Sequence, residues 1–415
     1  MSKYEIDTSL NKYIKKTPYD FQVYEKSIYN PEKEGKYLFL RLRKINISTL
    51  EAIRTFAKVN NIPLKEIGFA GLKDKYAYTE QFLSLPKDYE NKIKYFSFII
   101  FNQKVKSFEK VFQKEKIFEI YKRNFKQKIF SVEKIGYLKN KLSLGDLKGN
   151  EFIITLHNIH SKLFKQIRKN IQIVKKFGVA NYFGEQRFGS LKDRSNFIIL
   201  EATKGNFEKA IYIYFLEGRD PSLKKYWGDW ESLYKKLKDS LEDFERDVIL
   251  GLKRGLSFKK AFQIFPKNIK LMFYFAFQSF IWNKILSIYI KRKYPSGKVK
   301  FITKLPLYFY YEVYDYEYLK SLEIPYLGYK YKVEDPLLED IFKSILKNFN
   351  IEENLYNLDF FNLKIFTDGK RKAIVDKEVL NLDILRKEKN KFTLKFFLPT
   401  GSYATILLRK IIFLR

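Results

Sequence analysis

The chain has 415 residues, with 80 Lys plus Arg against 47 Asp plus Glu and a formal net charge of +33. It holds 2 His and no Cys, which excludes disulfides, cysteine-bound zinc, iron–sulfur clusters and a thiol nucleophile, and leaves too few histidines for a multi-histidine metal site. A hydrophobic fraction of 46% supports sizeable cores, and the length suits about two to three domains at roughly 100–200 residues each.

Residues 1–16 are polar and lack the apolar run of a signal peptide, so a cytoplasmic protein is expected. Lys36–Arg43 alternates, with Leu38, Leu40 and Leu42 on one face, the pattern of a half-buried strand. Ser48 and Glu51 form a capping box ahead of a helix that ends near Asn60, before Pro63. Thr79–Leu85 reads as a strand, and Glu151–Leu156 as another preceded by a Gly149-Asn150 turn. Leu163, Ile167, Ile171 and Val174 give a helix over Ser161–Phe177 with Gly178 as its cap. Residues 191–350 are mainly helical in pattern, and Met272–Ile290 reads as a buried helix of a second domain. Its most apolar part, Leu271–Trp282, is shorter than the ~20 residues that span a bilayer. Asn390–Phe397 returns to strand character, and a last helix follows Gly401. An α+β domain on an antiparallel, mixed sheet with flanking helices, interrupted by an inserted helical α+β domain, accounts for this order.

Several chemistries are excluded. No two glycines stand two apart, so there is no G-x-G-x-x-G loop, and no G-x-x-x-x-G-K-[ST] loop occurs. Neither His157 nor His160 has a serine elbow nearby; together they read as a surface turn between strand and helix. Chemistry is left to Asp, Glu, Lys, Arg, Tyr and hydroxyls. The positive charge suits a polyanion, nucleic acid or anionic membrane, although a lysine-favouring composition accounts for part of it.

Gly68–Pro86 reads GFAGLKDKYAYTEQFLSLP. Gly68 and Gly71 suggest a tight turn, and Lys73 and Lys75 flank Asp74. Nearby positive charge favours the ionised carboxylate, the form a nucleophile or general base needs. By composition alone the cluster is an ordinary solvated turn. The whole string, G-x-A-G-x-K-D-x-x-A-x-T-x-Q, resembles the catalytic motif of TruD-type tRNA pseudouridine synthases. Further stretches resemble that family in the same order: KKTPYDF at Lys15–Phe21, LGDLKGNEF at Leu144–Phe152, NYFGEQRFG at Asn181–Gly189 and LPTGSYATILLR at Leu398–Arg409. The centre, about 190–368, resembles it weakly apart from SFIWNKILS at Ser279–Ser287.

The resemblance implies a catalytic pseudouridine synthase domain of residues 1–180 and 369–415, and a TRUD-type insertion of 181–368. It implies isomerisation of a uridine in tRNA, at position 13 of the D-arm, without cofactor or metal, by a cytoplasmic protein expected to be a monomer. Asp74 matches the nucleophilic carboxylate, attacking either C6 of the base or C1′ of the sugar. Lys15 matches a basic residue paired with that Asp; alignment spacing alone prefers it to Lys16. Phe152 matches the active-site aromatic, with a core strand position as the plain alternative, and Phe21 packs at the pocket. Asn150 meets either a base edge or Asp74. Tyr403 stands where the family often has Phe. Arg187, in the expected hinge between the domains, either grips RNA or packs between them, and Lys73 shapes the loop. A non-catalytic RNA-binding protein on the same scaffold is the alternative, opposed by the intact Asp74 motif; a cofactor-dependent methyltransferase is opposed by the missing glycine-rich loop. If the +33 charge serves RNA, binding measured by filter retention falls steeply as salt rises, and a flat dependence assigns the excess to composition.

Overall fold

Period-two alternation builds most of one half of this chain. The computed structural model describes residues 8–93, 96–101, 107–110, 128–189, 191, 197–327, 333–349, 369–388 and 390–415. The expected end of the insertion at residue 368 lies outside them. Two compact units are formed: Ser9–Lys176 with Asp376–Ala404, and Phe177–Val375 with Thr405–Arg415. The final helix turns are thus grouped with the second of these.

In chain order the first unit contributes β1 (Phe21–Ser27), β2 (Tyr37–Ile45), β3 (Gly68–Phe69), β4 (Tyr78–Pro86), β5 (Phe96–Phe101), β6 (Ser107–Lys110), β7 (Lys128–Leu138) and β8 (Leu147–Leu156). Short strands of the second unit follow: β9 (Val179–Ala180), β10 (Ser296–Val299), β11 (Leu307–Tyr310), β12 (Glu323–Pro325), β13 (Lys370–Lys372) and β14 (Ile374–Val375). The chain then returns with β15 (Asp383–Glu388) and β16 (Lys391–Pro399). The first unit is one sheet in the order β15-β16-β8-β1-β4-β2-β7-β5-β6, with β3 against β4. Among the described residues β1 and β4 run parallel and the other pairs of this sheet antiparallel, so the sheet is mixed as expected.

One face of this sheet is the core. Leu38, Leu40 and Leu42 of β2 and Leu83 and Leu85 of β4 pack with Ile53, Phe56 and Ala57 of the helix Thr49–Val59. That helix begins where the sequence places it, Ser48 Oγ accepting from Glu51 N at 3.2 Å. The helix Ser161–Phe177 buries Ile167, Ile171 and Val174. Its Phe164 ring meets Phe392 of β16 edge-on at 5.6 Å. Gly178, φ 66°, ends it in the left-handed conformation that suits glycine.

The second unit is mainly helical. Its longest helix, Lys267–Lys293, contains the apolar segment foreseen in the sequence. Asn283 clamps the Phe183 backbone, Oδ1 accepting from its N at 2.8 Å and Nδ2 donating to its O at 3.0 Å. Trp282 Nε1 donates to Ile324 O at 3.1 Å. Glu185 accepts from Arg409 Nε at 2.6 Å and Thr405 Oγ1 at 2.7 Å. Two of the stretches that resembled the TruD family therefore meet here.

The expected turn at Gly149-Asn150 is instead the interior of β8. Gly149 pairs with Lys26 of β1 and Pro399 of β16. It has φ 153°, and a Cβ there would overlap Leu398 O and stand 2.5 Å from Phe397 Cζ. Glycine is required by close approach of β16, not by a reversal of the chain. Gly149→Ala is expected to cost about 2–4 kcal/mol from overpacking and strain together. Urea denaturation measures it, and an unchanged midpoint would mean that β16 yields to a methyl.

Candidate active site

At one end the core face of the sheet turns polar. The inward row of β2 runs Leu38, Leu40, Leu42, Lys44, and that of β1 runs Phe21, Val23, Glu25. Thr79 and Gln81 begin the inward row of β4 before Leu83 and Leu85. Register brings these positions together: Lys44 lies across from Thr79, Thr79 beside Val23, and Glu25 across from Asn150.

The Gly71–Asp74 loop lies on this polar end, and its main chain is satisfied from beneath. Gln81 Nε2 donates to Gly71 O at 3.1 Å. Thr49 Oγ1 accepts from Lys73 N at 3.0 Å and donates to Gln81 Oε1 at 2.8 Å. Lys44 Nζ donates to Asp74 O at 2.7 Å. Lys73 folds inward to an ion pair with Glu25, their side chains 5% and 1% exposed. Buried backbone groups require partners of this kind. The two glycines of the motif act differently from expectation. Neither has a left-handed φ. A Cβ on Gly68 would overlap Leu142 O and Ser84 Oγ, whereas at Gly71 the nearest atom is Lys73 Nζ at 3.6 Å.

Asp74 is thus fixed by its own main chain and presents its carboxylate outward, 20% exposed. Oδ1 accepts from Tyr76 N at 3.0 Å. Oδ2 is ion-paired with Lys15 Nζ. Lys15 has φ 58°, an unfavourable conformation for a residue with a Cβ. Its ammonium also lies 4.5 Å from the centre of the Phe21 ring. Phe21 meets Phe152 edge-on at 6.1 Å, and Phe152 stacks on Phe396 at 5.3 Å. Two residues from Phe152 on the same face of β8, Asn150 Oδ1 is buried without a hydrogen-bond partner among the described residues. Burial pushes the Lys44 ammonium down to about 8, with Asp74 pulling it back up.

The structure therefore gathers Lys15, Phe21, Asp74, Asn150 and Phe152 in one unit. Tyr403 belongs to the same unit and is half-buried, in the segment of chain after β16, where Thr400 Oγ1 donates to Leu147 O at 3.0 Å. Arg187 belongs to the other unit. Its Nε donates to Ser279 Oγ at 3.1 Å and its guanidinium lies 4.8 Å from the Phe275 ring and 5.5 Å from that of Phe183. His157 is not a surface turn residue: its Nε2 stands 2.9 Å from Asp20 Oδ1, both side chains largely buried. Asp20 accepts from Thr17 N at 2.6 Å, which shapes the segment that delivers Lys15. Among the described residues no cluster of three His, Cys, Asp or Glu side chains is positioned for a metal ion.

Lys44, Thr49 and Glu25 were missed in the sequence, and Gln81, the last residue of the quoted motif, was given no role. Their signal was parity. Each of Lys44, Gln81 and Glu25 continues an inward-facing row in which the other members are mostly apolar.

A family model described as tRNA pseudouridine synthase D (TruD) matches residues 3–300 and 318–411. The tRNA pseudouridine synthase D of Aquifex aeolicus is 34% identical over 407 residues, spanning 96% of this chain and 97% of that one. A probable tRNA pseudouridine synthase D 2 of Methanocaldococcus jannaschii is 29% identical over 96% of this chain and 90% of its own length. The crystal structure of a putative tRNA pseudouridine synthase D from Methanosarcina mazei has the same fold, with a TM-score of 0.67 at 24% identity, covering 96% of this chain and 93% of that one. With both the family model and the Aquifex relative matching nearly end to end, this chain belongs to the TruD family of tRNA pseudouridine synthases, which are isomerases.

Proposed function

We propose that the chain isomerises a uridine of tRNA, at position 13 in the D-arm, to pseudouridine, with Asp74 as the nucleophilic carboxylate. The observation that carries this reading is the Lys15–Asp74 ion pair at the head of the Phe21–Phe152–Phe396 aromatic row. The isomerisation balances internally. The N1–C1′ bond breaks, the base turns, C5 bonds to C1′, and the C5 proton is lost while N1 gains one. A carboxylate, a place for the base to stack and a means of holding its edge are what the chain must supply.

The unit Ser9–Lys176 with Asp376–Ala404 is read as the catalytic domain and the Phe177–Val375 unit as the insertion. A uridine inside folded RNA has to leave its stack before its glycosidic bond can be reached. Phe152 and Phe21 offer the flipped base an apolar seat. Asn150 Oδ1, a buried acceptor, matches the N3–H donor of uracil; cytosine carries an acceptor at that position and is refused. Lys15 pairs with Asp74 and orients its carboxylate. Attack at C6 or at C1′ makes the same demand on Asp74, an ionised oxygen free to approach. The basic surface draws RNA to the protein, which acts as a cytoplasmic monomer without metal or cofactor.

Asp74→Asn is expected to lower the single-turnover rate on a tRNA transcript by about 10³-fold or more, with RNA affinity within about threefold of wild type. Lys15→Met is expected to lower it by about 10–100-fold. Pseudouridine mapping of the transcript reads both. A wild-type rate from Asp74→Asn removes the nucleophile assignment, and an unmodified position 13 in tRNA exposed to active enzyme removes the site assignment.

A further inference from the structure

Lys44 is fully buried, at 0% exposure, in a row that its predecessors Leu38, Leu40 and Leu42 fill with leucine. Another leucine would continue the core. An ammonium in that place must give up its water, which is unfavourable unless a carboxylate or a full set of acceptors replaces it. Among the described residues Lys44 has neither: its hydrogen-bond partner is one carbonyl, Asp74 O at 2.7 Å, and no carboxylate is ion-paired with it. The other lysines at the loop are accounted for, Lys75 standing 5.1 Å from the centre of the Tyr76 ring. Lys73 is ion-paired with Glu25, and Lys15 holds the outer side of Asp74 at a partly exposed position. A buried cation lacking its own counter-ion, aimed at the main chain of a single acidic residue, points to a use at that residue.

We propose that Lys44 is a positioning residue for the isomerisation: its buried ammonium fixes the main chain of Asp74 and maintains a positive field beneath the carboxylate while that group's charge is spent and regained. The inference rests on reading Asp74 as the nucleophile. When Asp74 forms its bond to the substrate, one negative charge leaves the carboxylate. When N1–C1′ breaks, the bonding electrons pass to the uracil ring. Lys15 lies at the open side and is shared with the Phe21 ring, whereas Lys44 is held in place by burial throughout. A fixed charge in a dry site needs no reorganisation as the reaction proceeds.

The charged groups acting on Lys44 are Asp74, which favours the ammonium, and Lys73, which opposes it; burial is the largest influence and brings Lys44 down to about 8. Below that pH the ammonium is charged. As pH rises through it the charge is lost, although the neutral amine still donates to Asp74 O. Activity is therefore expected to fall on the alkaline side as Lys44 discharges.

Lys44→Met, of similar length but without charge or donor, tests this. Single-turnover kcat is expected to fall by about 30-fold or more with KM within about threefold, since the lost interaction acts on the reacting group and not on RNA binding. The alkaline limb near pH 8 should disappear from the variant's profile. The urea midpoint should change little, because relief of the ammonium's desolvation offsets the hydrogen bond lost at Asp74 O. Amide exchange in residues 71–76 should quicken by about tenfold or more while β4 keeps its protection. A kcat within threefold of wild type, an alkaline limb shared by both proteins, or loosening spread over the whole sheet with a lowered midpoint would each overturn the proposal. The exchange arm does not depend on activity. If Asp74→Asn retains wild-type turnover, the nucleophile reading fails and this inference with it; if Asp74→Asn is inactive and Lys44→Met is not, this inference alone fails.

Discussion

Lys44 Nζ, Thr49 Oγ1 and Gln81 Nε2 reach the Gly71–Asp74 loop from the core side, and each closes a hydrogen bond to its main chain. The display of the Asp74 carboxylate depends on those bonds. A loop over a hydrophobic face would have to lift its buried N–H and C=O groups to water, and the carboxylate would wander with it. Here the face supplies partners, so the side chain emerges from a main chain already held. Lys15 and Tyr76 N then set its two oxygens.

The same sheet face performs two tasks because strand parity carries both. Along β2 one step of two residues passes from Leu42, in the packed core, to Lys44, under the loop. Along β8 it passes from Asn150 to Phe152 to Ile154, from an acceptor buried without a partner among the described residues to an aromatic platform to the core. A slip of one residue in either strand would turn all of these groups to the opposite face. Register between β8 and β16 is therefore a condition of the site as well as of stability. Gly149 lets the two strands approach beside Asn150, where any side chain would meet Leu398 O.

Periodicity made the strands and helices legible. The helix Ser161–Phe177 and its glycine cap lie where the spacing of Leu163, Ile167, Ile171 and Val174 puts them. The resemblance at Gly68–Pro86 singled out Asp74, and the structure sets Lys15, rather than its neighbour Lys16, against it. Three things were hidden. Lys44 and Glu25 drew no reading because partners such as Lys73 and the Asp74 carbonyl come from the loop, which period alone does not place. Gly149 read as a turn because glycine marks reversals and close approaches alike. Arg187 read equally well as an RNA ligand or as packing; its contacts with Ser279, Phe275 and Phe183 are internal to its own unit, and nothing in the local sequence identifies Ser279 or Phe275 as neighbours.

The +33 charge is therefore not one population. Some cations are interior and answer to geometry: Lys44 beneath Asp74, Lys73 on Glu25, Arg409 on Glu185, Arg371 4.3 Å from the Phe183 ring, and Lys410 3.8 Å from the Tyr310 ring. These positions constrain both charge and shape, and compositional drift does not put a lysine into a leucine row. Others line exposed surfaces where lysine is cheap, as on the helix Ser161–Phe177, whose Lys162, Lys165, Arg168, Lys169, Lys175 and Lys176 occur without any acidic residue between them. Only the second kind can draw RNA through long-range attraction, and only that kind is weakened by added salt. The interior cations keep their influence because ions cannot follow them inside. The charges that organise the chemistry and those that gather the substrate are thus separable by solvent access, although the sequence writes both with the same letters.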